Sequence, residues 1–266
     1  MSKCGKIRTI AAWVTFLVGV LTTTSMGKNM NPQIFFSNTQ LTAYKLAQQG
    51  ETARLVQLVG AGVDLNLPGK EDMTLLGLAV LTADRNAIIS LINAGADPNQ
   101  VIPNAGSPAV LAITKYYNPP RTKALEALLE TGYDPNQILG AGKPYIFFFA
   151  DYNHWPGLKL VLQRGGDINV HRPNGKSLLV YLIEGGDTAH ARELIELGAD
   201  VAARGYKGET ALEVIEYNIT RANPSLREVW TNMLAMRELI LSKLTAPKDR
   251  RSFFTDEVEE KIHRNP

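Results

Sequence analysis

Apolar residues fall in paired short windows along most of the chain, and each pair predicts two helices. The first windows are apolar nearly throughout: "TLLGLAV" from Thr74, "SPAVLAI" from Ser107, "PYIFFFA" from Pro144, "SLLVYLI" from Ser177 and "TALEVI" from Thr210. Ser or Thr at such a start suits a helix N-cap, and Pro suits a first turn. The second windows are amphipathic: "RNAIISLINAG", "TKALEALLETG", "GLKLVLQRGG" and "TAHARELIELG". Their apolar residues recur at three- and four-residue steps, as at Ile88, Leu91 and Ile92 or Leu125, Leu128 and Leu129, which marks one buried helix face.

The pairs recur at a fixed period. Five stops align: "AGVDLN", "AGADPN", "TGYDPN", "RGGDIN" and "LGADVA", with aspartates at 64, 97, 134, 167 and 200 and gaps of 33, 37, 33 and 33. Gly followed by Asp-x-Asn is a helix stop and turn signal. The longer gap is a four-residue insertion between two helices, around "KYYNPPR". Insertions in repeats map to loops on one face. Ahead of these units, "LTAYKLAQQGETARLVQLVGAGVDLN" turns at Gly50, and its polar approach suits a repeat that caps the array. A longer final helix, about 226 to 244, carries Trp230, Met233, Met236 and Leu239 to seal the other end. The segment after it is charged, with Phe253 and Phe254 as its strong anchors.

This pattern resembles the ankyrin repeat, a turn plus two antiparallel helices. The resemblance covers residues 40–244 and implies an all-α fold: a solenoid of about six helix-turn-helix units joined by hairpin-like fingertip loops. The units run 40–66, 70–99, 103–136, 140–169, 173–202 and 207–244, after a linker at 26–39 and before a tail at 245–266. The family's Thr-Pro-Leu-His signature is degraded. Gly77, Val110, Phe147, Val180 and Glu213 hold its histidine position, so apolar packing should replace the histidine hydrogen bonds at most repeats.

The resemblance also implies where a partner binds. The family uses fingertip positions and the end of the first helix, which line a concave face. Here those positions include Lys70, Glu71, Met73, Leu81, Asn104, Thr114, Lys115, Lys143, Asp151, Tyr152, Asn174, Lys176, Glu184, Tyr206, Lys207 and Tyr217. Tyr116 and Tyr117 open the insertion beside them, and Trp155 follows at the same end of its unit. Tyr and Trp give contact area with a polar handle, so Tyr116, Tyr152 and Tyr217 are the expected anchors.

Charge enters mainly through the N-terminus. The whole chain carries +2, and Lys3, Lys6 and Arg8 stand in "MSKCGKIR" ahead of the apolar run "TIAAWVTFLVGVL". A basic stretch, a short apolar stretch and small residues together predict an export signal over 1–25, with cleavage near Ser25 and an uncleaved anchor as the alternative. Without it the charge is −1, which gives no reason to expect nucleic-acid binding. Cys4 is the single cysteine and lies in that segment, so the mature chain should contain no disulfide.

Motifs for chemistry fail on inspection. "NGKS" ends like a phosphate loop, but the glycine needed five residues before Gly175 is Val170. "GAGKP" has Pro144 where a magnesium-binding hydroxyl would stand. The histidines at 154, 171, 190 and 263 make no metal-binding spacing, and no hydrolase elbow occurs. No cofactor or metal is expected, and "NIT" at 218–220 is a sequon relevant only in a eukaryotic secretory route. The expectation is a non-enzymatic, exported scaffold, monomeric before it binds another protein. A periplasmic ankyrin protein of this size resembles immunity proteins that neutralise secreted antibacterial effectors, such as type VI secretion lipases. The alternative is a periplasmic accessory of a peroxide-removing enzyme.

Overall fold

The computed structural model describes residues 30–103, 106–113, 122–205 and 208–265. The segment 1–25, expected as an export signal, and with it Cys4, lies outside them. Helices dominate, in the order the periodicity predicts. They are α1 (Asn38–Gln48), α2 (Thr52–Gly60), α3 (Leu75–Thr82), α4 (Arg85–Asn93), α5 (Pro108–Leu111), α6 (Thr122–Glu130), α7 (Tyr145–Asp151), α8 (Trp155–Gln163), α9 (Leu178–Glu184), α10 (Thr188–Glu196), α11 (Ala211–Arg221), α12 (Arg227–Lys243) and α13 (Thr255–Arg264).

Four of the five first helices that follow a turn aspartate start at a hydroxyl; in the exception Pro144 holds that position. Thr74 Oγ1 accepts from the Gly77 N–H at 3.0 Å, and Ser177 Oγ accepts from the Val180 N–H at 3.2 Å. Thr210 forms a full capping box: it accepts from the Glu213 N–H, and the Glu213 carboxylate accepts from the Thr210 N–H at 2.8 Å. These bonds satisfy backbone donors that every helix start exposes. The second helices stop at glycines; at Gly95, φ is 104°, a left-handed conformation that a side chain resists.

The chain divides into two compact units, one of residues 1–135 with 151–164 and one of 136–150 with 165–266. In the first unit α1 packs on α2 and α4, α3 on α4 and α5, α4 on α6, and α6 on α8. Tyr44, Leu55, Leu75, Leu91, Leu125 and Leu128 form its core. Leu91 and Leu128 are fully buried as expected, Leu129 nearly so, and Ile92 only half. Phe35 and Phe36, in the segment expected as a linker, are buried too, and the Phe35 carbonyl accepts from the Lys70 N–H at 2.8 Å.

In the second unit α9 packs on α10 and α11, α10 on α12, and α11 on α12 and α13. Tyr145, Phe147, Phe149, Ile183, Ile215, Met236 and Ile240 fill its core. Trp230 and Met236 are buried as the final helix requires, whereas Met233 and Leu239 are half-buried.

An asparagine ladder sets the register within each unit. The Asp64 carboxylate accepts from the Asn66 N–H at 2.8 Å and closes the turn. Asn66 then bridges to the next repeat: its amide donates to the Gly95 carbonyl, and its Oδ1 accepts from the Asp97 N–H at 2.8 Å. Asn136 repeats the bridge with Gly165 and Asp167, and Asn169 accepts from the Asp200 N–H at 2.9 Å. At Asn99 the Tyr133 hydroxyl donates to Oδ1 at 2.8 Å instead. Burial, and then the nearby Asp134 and Asp97 charges, push that phenol pKa well up.

The charged C-terminal segment folds onto the array. Helix α13 buries Thr255 and Val258, while Phe253, expected as an anchor, is 91% exposed. A polar network replaces it. Glu216 of α11 is fully buried and accepts from Arg237 Nε at 2.7 Å, from Thr255 Oγ1 at 2.9 Å and from Ser252 Oγ. Lys261 Nζ donates to the carbonyls of Ile219, Thr220 and Ala222 at 3.0, 2.7 and 2.8 Å, capping the end of α11.

Candidate partner-binding surface

The fingertips are built by short hairpins between repeats. In the second unit β1 (Ile138–Leu139) pairs antiparallel with β2 (Lys143–Pro144), Leu139 opposite Lys143. The next finger closes by the bridge His171 to Ser177, with the Gly175 N–H donating to the Arg172 carbonyl at 2.7 Å. Gly175 takes φ of 75°, so "NGKS" is the tip of a turn, as its repeat position predicts.

The expected contact residues divide into three groups. Lys70, Glu71, Asp151, Asn174, Glu184 and Tyr217 are exposed, and Lys143, Tyr152, Trp155 and Lys176 are half-buried. Met73 and Leu81 contradict the expectation, being 3% and 1% exposed. Met73 lies just before the N-cap and Leu81 on an α3 buried almost all round, so both are core. Asn104, Thr114, Lys115, Tyr116, Tyr117, Tyr206 and Lys207 lie outside the described residues.

Two of the expected aromatic contact residues, the anchor Tyr217 and Trp155, are partly committed within the chain. The Tyr217 ring lies 5.4 Å from that of Phe254 and remains 43% exposed. Trp155 Nε1 donates to Asn153 Oδ1 at 2.7 Å. His154, just before it, caps α8 by accepting from the Gly157 N–H at Nδ1, 3.0 Å away. Burial lowers its pKa, because a charged imidazole is poorly solvated there.

The most developed chemistry is in the second unit, around a residue outside the expected set. Arg172 places its guanidinium carbon 4.6 Å from the centre of the Phe147 ring and 4.3 Å from that of Tyr181. Such a contact contributes about 0.5–1 kcal/mol at exposed sites, and it holds a flexible side chain in one place. Phe147 stands where the family motif has histidine; read together with Tyr181 four residues past the next N-cap, that aromatic pair was the available signal. Lys143 lies over the Phe148 ring at 4.1 Å, its pKa lowered to about 8 first by burial and then by the Arg172 charge. Lys176 pairs with Glu184 across the finger.

Arg172, Tyr181, Lys176 and Glu184 border a cavity of about 460 Å³, lined also by Asn174 and Asp187. Asp187 is already engaged: it caps α10 through the His190 N–H at 3.2 Å and meets His190 Nδ1 at 2.8 Å. The cavity therefore offers fixed cations at the finger and carboxylates toward the helix ends. It can hold complementary charges, and among the described residues no cluster of three His, Cys, Asp or Glu side chains could bind a metal.

Comparison with known proteins bears on the fold. No family model matches the chain. A myxoma virus protein, "Ankyrin repeat domain-containing protein M-T5", is 33% identical over 98 residues, 35% of this chain and 20% of that protein. "Ankyrin repeat-containing protein P1E11.10" of Schizosaccharomyces pombe is 34% identical over 91 residues, 34% of this chain and 42% of that protein. The matched stretches thus span well under two thirds of either relative. Among solved structures, the ankyrin repeat domain of Bcl-3 shares the fold with a TM-score of 0.54 at 21% identity, covering 82% of this chain and 97% of that one. EF0377, an ankyrin repeat protein, aligns with a TM-score of 0.51 at 22% identity, covering 76% and 97%. The 33-residue stops, the hydroxyl-capped helix pairs and the asparagine ladder agree with these likenesses, and the chain has the ankyrin-repeat fold.

Proposed function

We propose that this chain is an exported, non-enzymatic scaffold that binds and neutralises another protein, in the manner of a periplasmic immunity protein. One observation carries the binding role. The finger residues Lys70, Glu71, Asn174 and Lys176 are set by short turns between closed apolar cores, and Glu184 by the end of α9, so a partner meets a preformed surface. Preformed surfaces bind with less ordering cost than mobile ones. The basic-then-apolar N-terminus supports export, and the resemblance to immunity proteins supports the neutralising role.

The test is co-expression with the proteins encoded beside its gene. The expected outcome is a stable complex with a secreted effector, measured by calorimetry, and rescue of cells that carry the effector in the periplasm. A complex with a peroxide-removing enzyme would replace neutralisation by the accessory role. Failure to bind any neighbour-encoded protein, with the chain shown to be folded, would overturn the reading.

A further inference from the structure

Three successive fingers of the second unit carry cations: Lys143, then Arg172 with Lys176, then Arg204, with Lys143 and Lys176 each one residue before the next helix start. We infer that this basic finger ridge, centred on the ring-held Arg172 and its cavity, takes an acidic segment of a partner protein, one carboxylate seated against Arg172 and Lys176. The inference rests on the binding role proposed above and specifies the chemistry of the partner.

Fixed geometry is the first support. Contacts with Phe147 and Tyr181 hold the guanidinium at the cavity wall. A guanidinium held in place loses little freedom when it forms parallel N–H bonds to a carboxylate. Charge is the second. Arg172 acts unfavourably on Lys143, and a carboxylate arriving between the fingers relieves that repulsion. Lys176 already donates to one carboxylate partner, Glu184, so its ammonium lies where a carboxylate fits.

The same cavity argues against a nucleic acid. Glu184 and Asp187 line it beside the cations. A continuous run of phosphates would meet both carboxylates, whereas a peptide offers N–H donors to them on either side of its own acid. The occupant is therefore a protein segment, with alternating acids and polar residues, rather than a polyanion.

The experiment titrates the isotope-labelled chain with a short capped peptide alternating Glu and Ser. Controls are its Gln-Ser counterpart and a single-stranded DNA of equal charge. Expected shifts centre on residues 142–144, 171–176 and 181–187. Binding weakens with salt, and the Lys143 ammonium pKa rises when the peptide is bound. Arg172→Gln should weaken the peptide by roughly tenfold or more, an effect of one lost charge-assisted contact. If Arg172→Gln unfolds the chain, Lys176→Ala and Lys143→Gln on the finger carry the test. Equal binding of the Gln peptide, tighter binding of the DNA, or no shifts at these fingers overturns the inference. A chain that ignores the Glu peptide yet binds a neighbour-encoded effector refutes this chemistry alone; a chain that binds neither refutes the scaffold as well.

Discussion

Replacing Arg237 by Met should loosen the C-terminal end of the domain by a large and specific amount. Arg237 is 6% exposed and its Nε supplies the shortest nitrogen contact to Glu216, which has no exposure at all. Removing one partner of a buried pair leaves a charge that neither water nor counterion can reach, at a cost of about 3–5 kcal/mol. The Ser252 and Thr255 hydroxyls still donate to Glu216, so the lower end, about 3 kcal/mol, is expected. Glu216→Gln should cost less, about 1–3 kcal/mol, because Arg237 retains Glu238 at 3.3 Å and Glu259 at 3.5 Å on its solvent side. Arg237→Met combined with Glu216→Leu should recover most of the loss, since no charge is left to bury. Urea unfolding followed by circular dichroism gives the free energies. Hydrogen exchange at 255–264 shows whether α13 detaches first. The reasoning is refuted if Arg237→Met costs under about 1 kcal/mol, or if the double variant is worse than either single one.

Other outcomes follow from the two cores and their caps. Leu128→Ala, at a fully buried position of α6, should lose about 2–5 kcal/mol in denaturant titration; an unchanged midpoint would contradict the packing. Asn136→Ala removes both bonds of one ladder rung and should cost roughly 1–3 kcal/mol, read as a lower melting temperature with secondary structure retained. His154 has a folded pKa below its ordinary 6.5, so the unfolded chain binds its proton first as pH falls. Its stabilising share is full above about pH 6.5 and declines below it, by about 1.4 kcal/mol per pH unit until the folded pKa is reached. His154→Asn keeps a cap acceptor and should flatten that slope; an identical pH profile in both proteins would remove His154 as its source.

The repeats were legible because their signals are local. A hydroxyl ten residues after each turn aspartate fixes a helix start whatever surrounds it, and four of the five positions have one. Long-range contacts were less legible. The network of Glu216 joins residues up to 39 positions apart, and nothing in "DRRSFFTDEV" marks Thr255 rather than Phe253 as the anchor. The candidate surface was half legible. Register alone picked out Lys176 and Glu184, which the structure brings together, but it assigned Met73 and Leu81 outward, because a family position carries no information on which neighbour covers it. Arg172 was missed since its role depends on rings from two repeats.

The fingers leading to Thr74 and Ser177 are each bounded by the same two fixtures, a turn closed by aspartate and tied by asparagine, and a hydroxyl that opens the next helix. Both fixtures act through backbone groups, so neither depends on the side chains between them. The residues in between behave as a replaceable cassette. A change such as Lys176 to an acid alters what the surface recognises while leaving the neighbouring helices in register. A protein that must keep pace with a changing opponent could therefore revise one finger at a time, without first acquiring stability to spare.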